Sequence, residues 1–115
     1  RLDQLRGPEP ADSAPVIERL LRSMIDRVPD HLEKIDQALA LADAPALRDE
    51  AHQLKGIMAN IGARAAADAC GLLEDRGRRG DLEAAGDARA ALHPEIDAVH
   101  EAVTTILRAP ANLSR

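Results

Sequence analysis

The chain predicts an all-α fold, an antiparallel four-helix bundle with a short additional helix at its N-terminal end. Three observations carry that expectation. Alanine and leucine dominate, β-branched residues are few, and none of the 115 residues is Phe, Trp or Tyr, a composition suited to helices that touch through small side chains. Apolar residues recur at steps of three and four rather than alternating, the period of a helix with one buried face. Between these runs stand residues that start and stop helices, namely Asp43, Gly62 and the stretch RGRRGD that ends at Asp81.

The opening RLDQLRGPEPADSAP carries three prolines and reads as a linker over residues 1–13. Ser13 and Pro15 mark a helix start, and Val16, Ile17, Leu20, Leu21, Met24, Ile25 and Val28 follow at helical spacing. Pro29 interrupts that run, and Leu32, Ile35 and Leu39 carry a second helix toward Asp43. Asp43 is a good N-cap for the third helix, with Pro45 tolerated in its first turn. Leu47, Ala51, Leu54, Met58 and Ile61 give that helix one apolar stripe, and Gly62 stops it. The fourth helix turns Ala66, Ala69, Cys70 and Leu73 inward and ends in RGRRGD. Asp81 caps the fifth, which buries Ile96, Val99, Val103, Ile106 and Leu107; Pro94 within it is expected to bend or break the helix. The helical domain therefore spans 14–108, and 109–115 form a tail. A first residue other than Met suggests a piece of a longer protein.

The net charge of −5 argues against a general nucleic-acid binder, whose phosphate contacts need a basic surface. One cysteine, Cys70, cannot form an internal disulfide, which favours a reducing compartment. No apolar run approaches the ~20 residues that cross a bilayer.

The stretch AHQLKGIMANIG, residues 51–62, raises the functional question. With the apolar stripe of its helix as direction zero, His52 falls about 140° away, Gly56 about 180°, Arg48 and Ala59 near 100–120°, and Lys55 near 80°. His52 therefore faces solvent between two cations, with small residues further along its own face. A glycine inside a helix costs roughly 1 kcal/mol relative to alanine, and an ordinary surface histidine needs no such neighbour. The cleared surface points to a partner that docks for chemistry on the imidazole. If the third and fourth helices turn at Ile61 to Ala63, His52 lies opposite Leu72 to Glu74. Leu73 belongs to the core, which leaves Glu74 as a carboxylate within reach of the ring; the alternative for Glu74 is a solvated charge. A carboxylate on Nδ1 would fix the tautomer and leave Nε2 outward with its lone pair. Arg78, one turn on, would stand near an anion carried by His52, or else serve only the helix end. His31, His93 and His100 are expected at the surface or at helix ends.

The pattern resembles the histidine-containing phosphotransfer domains of multistep phosphorelays. Asp43, Ala51, His52, Leu54, Lys55, Gly56 and Gly62 match that family's capped A-H-x-L-K-G helix, and Cys70, Leu73 and Glu74 match its Cys-x-x-Leu-Glu stretch. The resemblance spans Val16 to Leu107. It implies that His52 accepts the phosphoryl group, that Lys55 steadies it, and that Gly56 gives a partner clearance. It implies receiver domains as partners, with Mg²⁺ on the receiver and no cofactor on this chain, and either a free-standing shuttle or the C-terminal module of a hybrid sensor kinase. It also implies a cytoplasmic location, tethered to the inner membrane only through such a parent, and a monomer as the isolated domain. Two departures stand out. Ile57 replaces the small polar residue that commonly follows Lys-Gly, and the first helices lack the usual aromatic, so Leu20 to Met24 must fill that space.

Three rivals remain. A kinase dimerisation domain usually carries an acidic residue after its histidine, which HQLKG lacks. A di-metal bundle would use Asp49 with His52 and Asp97 with His100, spaced as carboxylate-x-x-His, but Asp49 and His52 point away from the stripe. A non-catalytic interaction bundle would be indifferent to His52.

Overall fold

The computed structural model describes residues 10–108; the expectations for residues 1–9 and for the tail 109–115 lie outside the described residues. Among the described residues five helices follow one another: α1 Pro10–Asp26, α2 Val28–Ala40, α3 Ala44–Ile61, α4 Arg64–Arg79 and α5 Leu82–Arg108. The bundle is built from α2 to α5, with α3 packed chiefly on α4, α4 on α5 and α2 on α3. Arg89 Nε reaches Asp36 Oδ1 at 2.8 Å and so ties α5 to α2.

The additional helix α1 is 17 residues long and starts at Pro10, ahead of the Ser13 start expected from the sequence. Only Arg27 separates it from α2, where Pro29 sits in the first turn and needs no donor of its own. The apolar run of α1 is buried only at its C-terminal end. Ile25 and Val28 are inside, and Leu21 and Met24 are half-buried, while Val16, Ile17 and Leu20 stay about half exposed. Leu20 therefore does not fill the space left by the missing aromatic, because α1 meets the rest of the molecule sparsely.

Helix α3 starts where Asp43 Oδ1 accepts the N–H of Ala46 at 3.1 Å. It ends at Gly62, whose φ of +91° suits a residue without a Cβ. Its inward face is Leu47, Ala51, Leu54 and Met58, all fully buried, joined by Ile57. Ile57 follows Leu54 by three residues and so turns into the core, not toward the exposed face of His52. At the far end of α4, Gly80 closes the helix with φ +72°, and Asp81 Oδ1 accepts the N–H of Ala84 at 3.1 Å to begin α5.

Helix α5 runs unbroken through Pro94 over 27 residues, so of the bend or break expected there the break does not occur. Pro94 and Ala90, whose carbonyl loses its donor, are both exposed on the outer side of the helix, where solvent can reach that carbonyl. Ile96, Val99 and Val103 are buried; Leu107 is half-buried and Ile106 remains about half exposed.

Candidate functional site

The Gly62 turn folds α4 back along α3, and the hairpin register brings residue 74 beside residue 52. His52 Nδ1 lies 2.9 Å from Glu74 Oε2. The two side chains differ sharply in exposure, at 65% for His52 and 10% for Glu74. The carboxylate thus stands in the wall of the bundle, and the ring stands out from it.

Glu74 also gathers two cations. Lys55 Nζ lies 3.3 Å from Oε1, and an Arg78 guanidinium nitrogen lies 3.6 Å from Oε2. Burial alone would push the Glu74 carboxyl up, but the hydrogen bonds and charges of Lys55 and His52 together outweigh it and hold it below its ordinary value. An ionised carboxylate only accepts hydrogen bonds. The ring therefore donates from Nδ1, and in the neutral imidazole Nε2 keeps its lone pair on the exposed side.

The remaining residues expected at the site lie around this pair. Gly56 is exposed, and a Cβ there would meet no atom within 4 Å. Ala59 is exposed one turn further along and lines a cleft with Lys55, Gly62, Arg64, Ala67 and Asp68. The aliphatic stem of Lys55 lies over Gly71, whose Cβ would stand 3.4 Å from Lys55 Cδ. Arg48 pairs with its neighbour Asp49 at 3.3 Å, and Arg78 also reaches Asp75 at 3.2 Å.

Asp49 therefore faces an arginine, and Asp97 pairs with His93 at 3.3 Å rather than with His100. Among the described residues no three His, Cys, Asp or Glu side chains converge as metal ligands would. Cys70 is buried, and burial pushes its thiol up to about 12 against the pull of Arg89 and Lys55.

Sequence reasoning misses a second histidine–carboxylate pair. His31, expected at the surface or at a helix end, lies near the start of α2 but is buried, and its Nδ1 lies 2.8 Å from Glu50 Oε1. The signal is present in the sequence, since Val28, His31, Ile35 and Ala38 form one buried stripe of α2 at helical spacing. His93 and His100 are exposed.

The comparisons with known proteins bear on the family and the fold of the chain. The family model of the Hpt domain matches residues 19–102. Among solved structures, the chain is similar to the crystal structure of histidine-containing phosphotransfer protein B (HptB) from Pseudomonas aeruginosa PAO1. The two share 31% sequence identity with a TM-score of 0.77, over 86% of this chain and 84% of that chain. No curated protein gives a significant match. The chain belongs to the Hpt domain family, the histidine phosphotransfer domains of phosphorelay signalling.

Proposed function

We propose that His52 carries the phosphoryl group, taking it from the aspartyl phosphate of one receiver domain and passing it reversibly to another. The observation that carries this reading is the division of labour within the ring: Nδ1 is held by Glu74 at 2.9 Å, and the rest of the imidazole is open to a partner. In the forward step the Nε2 lone pair attacks phosphorus. The N–P bond forms as the acyl-phosphate O–P bond breaks, and the aspartate leaves as a carboxylate. The proton on Nδ1 stays with the ring, where Glu74 offsets the positive charge that develops there. Lys55 stands on the same side of the helix and neutralises charge on the moving group, while Gly56 and Ala59 leave room for the receiver's surface. Arg48 and Arg78 flank this surface and meet anionic groups of the partner. Positioning and electrostatics are what phosphoryl transfer asks of a protein. The Mg²⁺ belongs to the receiver.

This reading treats the domain as a monomer that works in the cytoplasm, free-standing or joined to a kinase core. No described helix is long and apolar enough to cross a membrane.

His52→Gln tests the assignment. The side chain lies outside the core, so helical content and Tm are expected to stay nearly unchanged. Incorporation of acid-labile phosphate from a phosphorylated receiver is expected to vanish. Labelling of the variant at His31, His93 or His100 in the parent's yield would overturn the proposal, and would return the bundle to a scaffold in which His52 is incidental.

A further inference from the structure

Gly77 is the buried glycine of α4. Its backbone is not one of the positive-φ positions, so no turn requires it, and glycine is a poor choice inside a helix. Its neighbours supply a reason. A Cβ at residue 77 would stand 3.1 Å from the backbone nitrogen of Arg48, 3.3 Å from Arg48 Cα and 3.4 Å from the carbonyl oxygen of Ala44. All three atoms are backbone of α3, which cannot swing aside as the tip of a side chain can. At residue 77 the two helices touch main chain to main chain.

The position of that contact matters. Gly77 follows Glu74 by three residues, and Arg48 precedes His52 by four, so each is one helical turn from a member of the ring–carboxylate pair. The contact of Gly77 with Arg48 and the hydrogen bond of Glu74 with His52 are successive rungs of the same α3–α4 ladder. A β-carbon at 77 needs α3 to yield by a few tenths of an ångström. The Nδ1 to Oε2 separation is 2.9 Å, and an N–H···O bond is already stretched at about 3.2 Å. The displacement a methyl group demands is therefore as large as the slack in the bond next to it.

We propose that Gly77 is a positioning residue for the phosphotransfer site: it sets the α3–α4 spacing at which Glu74 holds His52 in the tautomer with Nε2 free. This deepens the reading of His52 as phosphoacceptor and rests on it for its functional consequence.

The neighbouring glycine offers a built-in control. At Gly71 a Cβ would meet only Lys55 Cδ, at the ordinary distance of 3.4 Å, and a flexible stem can move. Gly86, on the exposed side of α5, has open space around its Cβ. A Gly86→Ala background therefore adds helix stability away from the site and keeps the test variants folded.

In that background, Gly77→Ala and Gly71→Ala are compared by the imidazole ¹⁵N spectrum of unphosphorylated His52 and by the rate of transfer from a phosphorylated receiver. Gly77→Ala is expected to shift the ring from the Nδ1–H form toward a mixture of tautomers. It is expected to slow transfer about three- to tenfold, the worth of one hydrogen bond. Gly71→Ala is expected to leave the tautomer unchanged. In a Glu74→Ala background, Gly77→Ala should change neither readout further, because nothing remains to be positioned. An unaltered ¹⁵N spectrum in Gly77→Ala, or an equal further loss of transfer on top of Glu74→Ala, would overturn the inference. The spectrum needs no partner and no phosphate, so it judges Gly77 even where the assignment of His52 as acceptor fails.

Discussion

At the scale of single residues, Glu74 is the centre of the site, and its ionisation has a consequence for stability. The folded protein holds the Glu74 proton less tightly than the unfolded chain does, since Lys55 and His52 overcome the cost of burial. A carboxyl lowered in this way stabilises the fold fully above its unfolded value and loses that contribution as pH falls through the lower folded value. Glu74→Gln is therefore expected to cost stability at pH 7 and progressively less below the ordinary value of 4.5. Urea midpoints of the two proteins from neutral to acid pH measure this. No difference at neutral pH would mean that Glu74 is merely solvated, and a difference that does not shrink on acidification would mean that its cost does not come from the ionised carboxylate. The pairing of Glu74 with His52 is legible in the sequence because a glycine stop fixes the turn, and the turn fixes which residues face each other. The pair of His31 with Glu50 is harder to see, because a histidine counts as polar until a carboxylate on another helix satisfies it inside the bundle. Gly77 is illegible for another reason: a close approach depends on the distance between two helices, and no single stretch of sequence records that.

At the scale of the elements, α3 shows two glycines with opposite roles. Gly62 takes φ +91° and ends the helix, so its lack of a Cβ is a backbone requirement. Gly56 is helical, and a methyl group in place of its hydrogen would find nothing within 4 Å, so the fold itself does not require it. Gly56→Ala is expected to raise stability by up to about 1 kcal/mol. Gly56→Gln should keep most of that gain and slow transfer by obstructing the receiver. Denaturant melts and transfer rates of the pair measure both effects, and transfer by Gly56→Gln at the parent's rate would remove the case for clearance. Caps and stops at Asp43, Gly62, Gly80 and Asp81 are readable because each is local chemistry. Pro94 leaves α5 unbroken for a physical reason: the cost of a helical proline falls when the carbonyl it orphans is on the outer side of the helix.

At the scale of the whole molecule, the all-α bundle follows from periodicity, and the apolar stripes of α3, α4 and α5 predict most of the core. The same reasoning overreaches for α1. A periodic stripe states which face is apolar and not what covers it, and Val16, Ile17 and Leu20 remain about half exposed. The bundle's contribution to the proposed function is placement. Two packed helices hold one carboxylate in the wall and one imidazole outside it, so a partner meets a ring whose free nitrogen is already decided. That claim is tested most directly by ³¹P–¹⁵N NMR on the domain after phosphorylation by a phosphorylated receiver, with histidine labelled in its ring nitrogens. The account predicts one phosphohistidine, at His52, with phosphorus coupled to Nε2 and with Nδ1 still protonated toward Glu74. Phosphorus coupled to Nδ1 of His52, or to either nitrogen of another histidine, would contradict it.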